Sequence, residues 1–398
     1  MFMTPPRLGT MHFDLSVYRA DGEYFVRLLA SPAGDTVELF VQPLLSRELE
    51  AFRRAIATLD IGDDNLLESN VQLVQDLGRR LFMALFPKSV GTMLQTSYRM
   101  AYEARAQLRI HLRFNEVPAL AMLPWEFLYD PLRNEFPALS LHSPIIRYTD
   151  LMHHIPPLKV DLPLRMLVVI AAPVGHPAVN KESIWHNIVD KVDHLALDQR
   201  LRVEQLRRPT LHDLQRRLRE GNCHILHLIS YANYEEFTED GVIILEDETG
   251  RARSVSGQHL GSLLRDHFSL RLVVLSTLEP QRISRPNPQL AAGQTLLKRG
   301  LPAVVAIQSA LDAHSTGVFV QQFYTQVAEF VPIDLALTET RRALEATSAS
   351  AAWGLPALLT RIPNAILFVD PATVAQSPTT TSGRLRTVNP KGPRYNQE

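Results

Sequence analysis

The pattern of apolar and polar positions changes character along this chain. HFDLSVYRA (12–20) and YFVRLLAS (24–31) read as strands on either side of Asp21-Gly22, which predicts a hairpin, and DTVELFVQP (35–43) reads as a third strand after the turn SPAGD. SRELEAFRRAIATL (46–59) predicts a helix, and Val71, Val74, Leu77, Leu81, Phe82 and Leu85 have the spacing of an amphipathic one. LRIHLRF (108–114) alternates like a half-buried strand. Residues 1–150 thus read as one α+β unit. HHIPPLKVDLP (153–163) holds three prolines in eleven residues and predicts a stiff connection.

Beyond it, strands and helices alternate. Strands are expected at 164–171, 201–205, 224–229, 270–275 and 303–307. Helices are expected near 183–196, 211–219, 258–266, 288–299, 314–330 and 333–346. This order predicts an α/β fold with an open, mostly parallel sheet flanked by helices. Residues 241–257 interrupt it as a β-hairpin with a polar tip. Residues 371–398 are rich in Pro, Thr, Ser, Asn and Gly with a net charge of +3, a composition that predicts a disordered tail.

Composition narrows the function classes. A net charge of −1 over 398 residues lacks the sustained basic surface that nucleic acid or an anionic membrane requires. No apolar run is long enough to span a membrane, and the N-terminus MFMTPPRLGT does not follow the plan of a secretory signal. The expectation is a cytoplasmic protein. One cysteine, Cys223, excludes an intrachain disulfide and a cysteine-rich zinc site. Phosphate-loop and dinucleotide signatures are absent, and HHxxP at 153–157 lacks helical ligand spacing, so no cofactor or metal is expected.

Three blocks resemble the CHAT domain family of caspase-like cysteine peptidases. They are LPWEFLYDP (123–131) with LSLHSPIIRY, then GVIILEDETGR with LRLVVL, then AAGQTLLKRGLPAVVAIQSALD (291–312) followed by FYTQVAEFVPIDLALTETRRAL and WGLPALLTR. The resemblance runs from about residue 11 to 370 and implies a caspase-like domain over 164–370, preceded by the smaller α+β unit. Within the first block, Glu126 is expected to be a buried carboxylate paired with an arginine such as Arg147.

In that family one strand run ends in His-Gly and another in Asn-x-Cys. The matching runs here, ILHLISYAN (225–233) and LRLVVLSTLEP (270–280), carry Tyr231-Ala232 and Ser276-Thr277-Leu278 instead. A phenol with pKa near 10 is a poor base at neutral pH, and leucine has no nucleophilic atom. The expected site is therefore a vestigial cleft of Ser230, Ala232, Ser276, Thr277, Asp312 and His314, with Tyr231 and Leu278 at the degenerate dyad positions. His227 and His224 are expected to pack deeper along their strand, and Cys223 lies at the strand's other end. The basic residues Arg207-Arg208 and Arg216–Arg219 are expected on a solvated face.

These residues predict a non-catalytic scaffold, regulator or peptide-binding subunit. Its expected partner is a protein, either an active caspase-like relative or a second copy of the chain. The resemblance sets it in bacterial signalling or antiviral defence. Two alternatives stay open: a hydrolase using Ser276 or Thr277, and a small-ligand sensor at the strand ends.

Overall fold

The computed structural model describes residues 9–44, 46–58, 64–151, 155–279, 286–347 and 351–371. β1 (Gly9–Ala20), β2 (Glu23–Ala30) and β3 (Thr36–Phe40) form an antiparallel meander. Its first turn holds Asp21 and Gly22 at φ of 50° and 85°, the two positive values that a tight hairpin turn requires. α1 (Ser46–Thr58), α2 (Asp64–Leu85) and α3 (Lys88–Glu103) follow. β4 (Ala106–Arg113) then pairs parallel to β1, and after a short α4 (Pro118–Ala121), β5 (Ile145–Tyr148) pairs parallel to β4.

In the second part, β6 (Leu158–Lys159) leads to β7 (Leu164–Ala171), α5 (Lys181–Leu197), β8 (Leu201–Gln205), α6 (Leu211–Arg219) and β9 (Ile225–Ser230). β10 (Ala232–Glu235), β11 (Asp240–Glu246) and β12 (Ala252–Ser256) form a separate antiparallel sheet that contains the expected hairpin. α7 (Gly257–Leu264), β13 (Leu272–Thr277), α8 (Pro288–Lys298) and β14 (Ala303–Ile307) come next. The described chain ends with α9 (Ala313–Ala328), α10 (Ile333–Thr347), β15 (Pro356–Thr360) and β16 (Phe368–Val369).

The large sheet has eleven strands in the order β3-β2-β1-β4-β5-β15-β14-β13-β9-β7-β8. It is mostly parallel, with antiparallel pairing only at β1–β2, β2–β3 and β14–β15. β15 joins the two parts, because it lies antiparallel to β14 and parallel to β5. The α+β unit of residues 1–150 is therefore hydrogen-bonded into the same sheet as the strands that follow it. The expected tail from 372 onward, and residues 153–154 of the proline-rich connection, lie outside the described residues.

β9 and β14 are buried along their whole length and β7 along nearly all of its own, as expected for central strands covered on both faces. One apolar core joins α5, α9 and α10 to residues such as Ile225, Ile229 and Val274, and continues beneath α1, α2 and α3. A second joins α6, α7 and α8 to Leu226, Leu228, Val273 and Leu275. Alternate residues of β9 and β13 thus feed opposite cores, so the parity of a residue decides which face it serves.

Candidate functional site

At the C-terminal ends of β9, β13 and β14, a cavity of about 510 Å³ opens between the sheet, α5 and α9. In an open parallel sheet this end is where ligands bind. Ser276, Thr277, Leu278 and His314 line it, as do His227 and the apolar side chains of Ile184, Ile307 and Phe319.

His227 departs from the sequence expectation. Its Nε2 lies 2.9 Å from the Ser276 hydroxyl, so a histidine does reach a cleft hydroxyl. Counting residues back from Tyr231 places His227 deep in its strand, but Ser276 is itself two residues short of Leu278. β9 and β13 pair with Val274 opposite His227, so Ser276 stands diagonally across from His227 on the same face. The imidazole is 1% exposed, packs 5.8 Å from the Tyr324 ring, and burial alone pushes its pKa down to about 3. Its Nδ1 is buried without a hydrogen-bond partner among the described residues.

The neighbouring hydroxyl and the residue after it have different tasks. Thr277 Oγ1 accepts the Glu279 amide at 3.2 Å, closing a local turn at the strand end. Leu278 donates its amide to the Ser230 carbonyl at 3.3 Å and packs its side chain against the first core.

Tyr231 does not line this cavity. It is 2% exposed, its hydroxyl donates to the Pro177 carbonyl at 2.7 Å, and its ring rests 4.7 Å from that of His176. Burial, with Glu279 second, holds its phenol above the ordinary value. Ser230 and Ala232, expected in the cleft, are not brought into it. Ser230 is buried on the strand face opposite His227, with no partner for its hydroxyl among the described residues, and Ala232 packs into the second core.

Asp312 is the N-cap of α9, where its carboxylate accepts the amides of His314 and Ser315 at 2.7 and 2.9 Å. Those amides and the Ser315 hydroxyl outweigh burial and hold its carboxyl below the usual range. The cap leaves His314 exposed in the first turn, at the cavity.

Cys223 precedes β9, at the end opposite to the cleft. It is 2% exposed and burial pushes its thiol up to about 12, so it carries no thiolate at neutral pH. His224 accepts the Arg165 amide at Nδ1, and burial lowers its pKa to about 4. Glu126 accepts Nε and Nη2 of Arg147 at 2.8 and 2.6 Å and Gln308 at 3.2 Å, inside the core. The basic residues around α6 sit among acids: Arg208 and Arg216 on Asp213, and Arg217 on Glu204.

Among the described residues, no helix is long and apolar enough to cross a membrane. No curated protein matches the chain. Two crystal structures of the Saccharomyces cerevisiae separase–securin complex resemble it, each with a TM-score of 0.38, at 12% and 11% identity. These matches cover 86% and 84% of this chain but only 21% of each of those chains. The family model described as CHAT domain matches residues 75–364. That match spans well over half of the sequence and includes every strand that borders the cleft: the chain belongs to the CHAT domain family.

Proposed function

We propose that this chain is a pseudopeptidase, a CHAT protein whose cleft holds an extended segment of a protein partner without cutting it. The observation that carries this reading is the state of His227, the one histidine among the described residues that is bonded to a cleft hydroxyl. His227 has a pKa near 3 and lacks an orienting partner at Nδ1 among the described residues. A general base works best with a pKa near the operating pH, held in place by a third group. His227 meets neither condition. Leu278 offers no nucleophile, and the buried thiol of Cys223 is at the far end of the strand.

The cavity's lining supports a peptide as occupant. Ile184, Leu278, Ile307 and Phe319 suit an apolar side chain, while Lys191 is an exposed cation and His314 an exposed hydrogen-bonding ring beside them. An apolar residue followed by an acidic one fits that arrangement. Peptides selected from a random library against the purified chain should share this pattern, and Leu278→Arg should weaken them at least tenfold. Undiminished binding by the Leu278→Arg protein would overturn the assignment of the cleft.

A second reading rests on the 2.9 Å bond between His227 and Ser276, which is the contact a serine hydrolase needs. A nucleophile-directed probe separates the two readings, since only a hydrolase would carry an adduct on Ser276.

A further inference from the structure

Far from the cleft, β1 and β4 pair in parallel with Asp14 opposite His111 and His12 opposite Arg109. Phe13, Leu15, Leu108, Ile110 and Leu112 point into the first core, so the alternate residues His12, Asp14 and His111 share the other face. One donor atom from each of these three lies within 4.8 Å of the others. We propose that they form a site for a divalent transition-metal ion of the zinc type, with the two imidazoles as ligands.

Two independent features support this. His111 Nδ1 lies 2.7 Å from Asp14 Oδ1, an arrangement in which the carboxylate fixes the tautomer and leaves the lone pair on Nε2. Among the described residues, that Nε2 is nonetheless buried without a hydrogen-bond partner, in a residue 1% exposed, and His12 Nδ1 in the neighbouring ring also has none. Buried polar atoms are seldom left unsatisfied, and a metal would satisfy both at once. The rings are 4.9 Å apart.

The surrounding charges permit a cation. Arg109 is spent on Asp334 at 2.5 Å, and Arg113 on Asp14 and Asp150 at 2.7 and 2.9 Å. Imidazole nitrogen selects zinc, nickel or copper over magnesium and calcium.

Calorimetric titration of the full chain with Zn²⁺ should show one equivalent bound. His12→Gln and His111→Gln should each weaken it at least tenfold, whereas His186→Gln, which changes an exposed histidine on α5, should not. Equal affinity in His12→Gln and the unaltered chain would overturn the proposal. Because His111 is buried, the unaltered chain should also be titrated with Co²⁺. Intensified visible bands from nitrogen ligation are expected, and the spectrum of aqueous Co²⁺ alone would refute the site.

Discussion

His227 and Ser276 meet because Ser276 lies two residues beyond Val274, the partner of His227 across two parallel strands, and burial at that position pushes the pKa of the histidine down to about 3. That burial has a consequence for stability. Once unfolded, His227 and His224 regain a pKa near 6.5, whereas the folded values are about 3 and about 4. Below pH 6.5 the unfolded chain therefore binds protons that the folded chain refuses, so stability falls as pH drops. Each group contributes a slope of about 1.4 kcal/mol per pH unit until its folded pKa is reached. Urea unfolding from pH 7 to pH 4 should show this loss, and His227→Gln should remove the part due to that residue. An unchanged slope in His227→Gln would contradict it. The identities of Tyr231 and Leu278 were legible in the sequence, because side-chain chemistry needs no coordinates. The His227–Ser276 bond was not, since the register between two distant segments is set by the folded sheet and not by position along either strand.

Among the elements, those with strong periodicity or β-branched runs were legible nearly to the residue. β7, β8 and β14 coincide with their expected spans, as does α6. β9 and β13 lie one and two residues later than expected, which matters because it places Ser230, Ser276 and Thr277 inside strands. Several elements were not foreseen, α3 and β15 among them. α3 falls in a stretch whose buried residues include Ser97 as well as Val90 and Leu94, which blurs its apolar stripe. β15 is only PALLT, buried at every position, and a run so short has no alternation to reveal it. One close approach ties the small sheet to the helix over it. A Cβ added at Gly241 on β11 would lie 2.0 Å from the Pro288 carbonyl and 2.5 Å from the Ala292 amide of α8. Since both are backbone atoms, Gly241→Ala should destabilise by about 1–3 kcal/mol or more, read as a lower urea midpoint. Stability equal to the parent would mean that α8 and β11 are not packed this closely.

For the molecule as a whole, the sequence suggested two units joined by a proline-rich connection, whereas the hydrogen-bonded sheet runs through both. What hid this from the sequence is that the joint is made by β15, near the end of the chain, inserted beside β5. Buried ion pairs reinforce the joint. Arg109 of β4 binds Asp334 of α10, and Glu126 binds Arg147 of β5 and Gln308 after β14. Glu126→Ala would leave Arg147 buried and uncompensated, which costs about 3–5 kcal/mol. Thermal denaturation should show that loss across the whole molecule, with near- and far-ultraviolet circular dichroism shifting together. A shift in one signal alone would argue against a shared core.

The cleft sits within this continuous framework as a cavity with a hydroxyl, a buried histidine of lowered pKa and an apolar wall. The most direct test is to incubate the unaltered chain at neutral pH with a fluorophosphonate probe and to map any adduct by mass spectrometry. Ser276 should remain unmodified. An adduct on Ser276, lost in His227→Gln, would show an armed nucleophile and contradict the binding role assigned here.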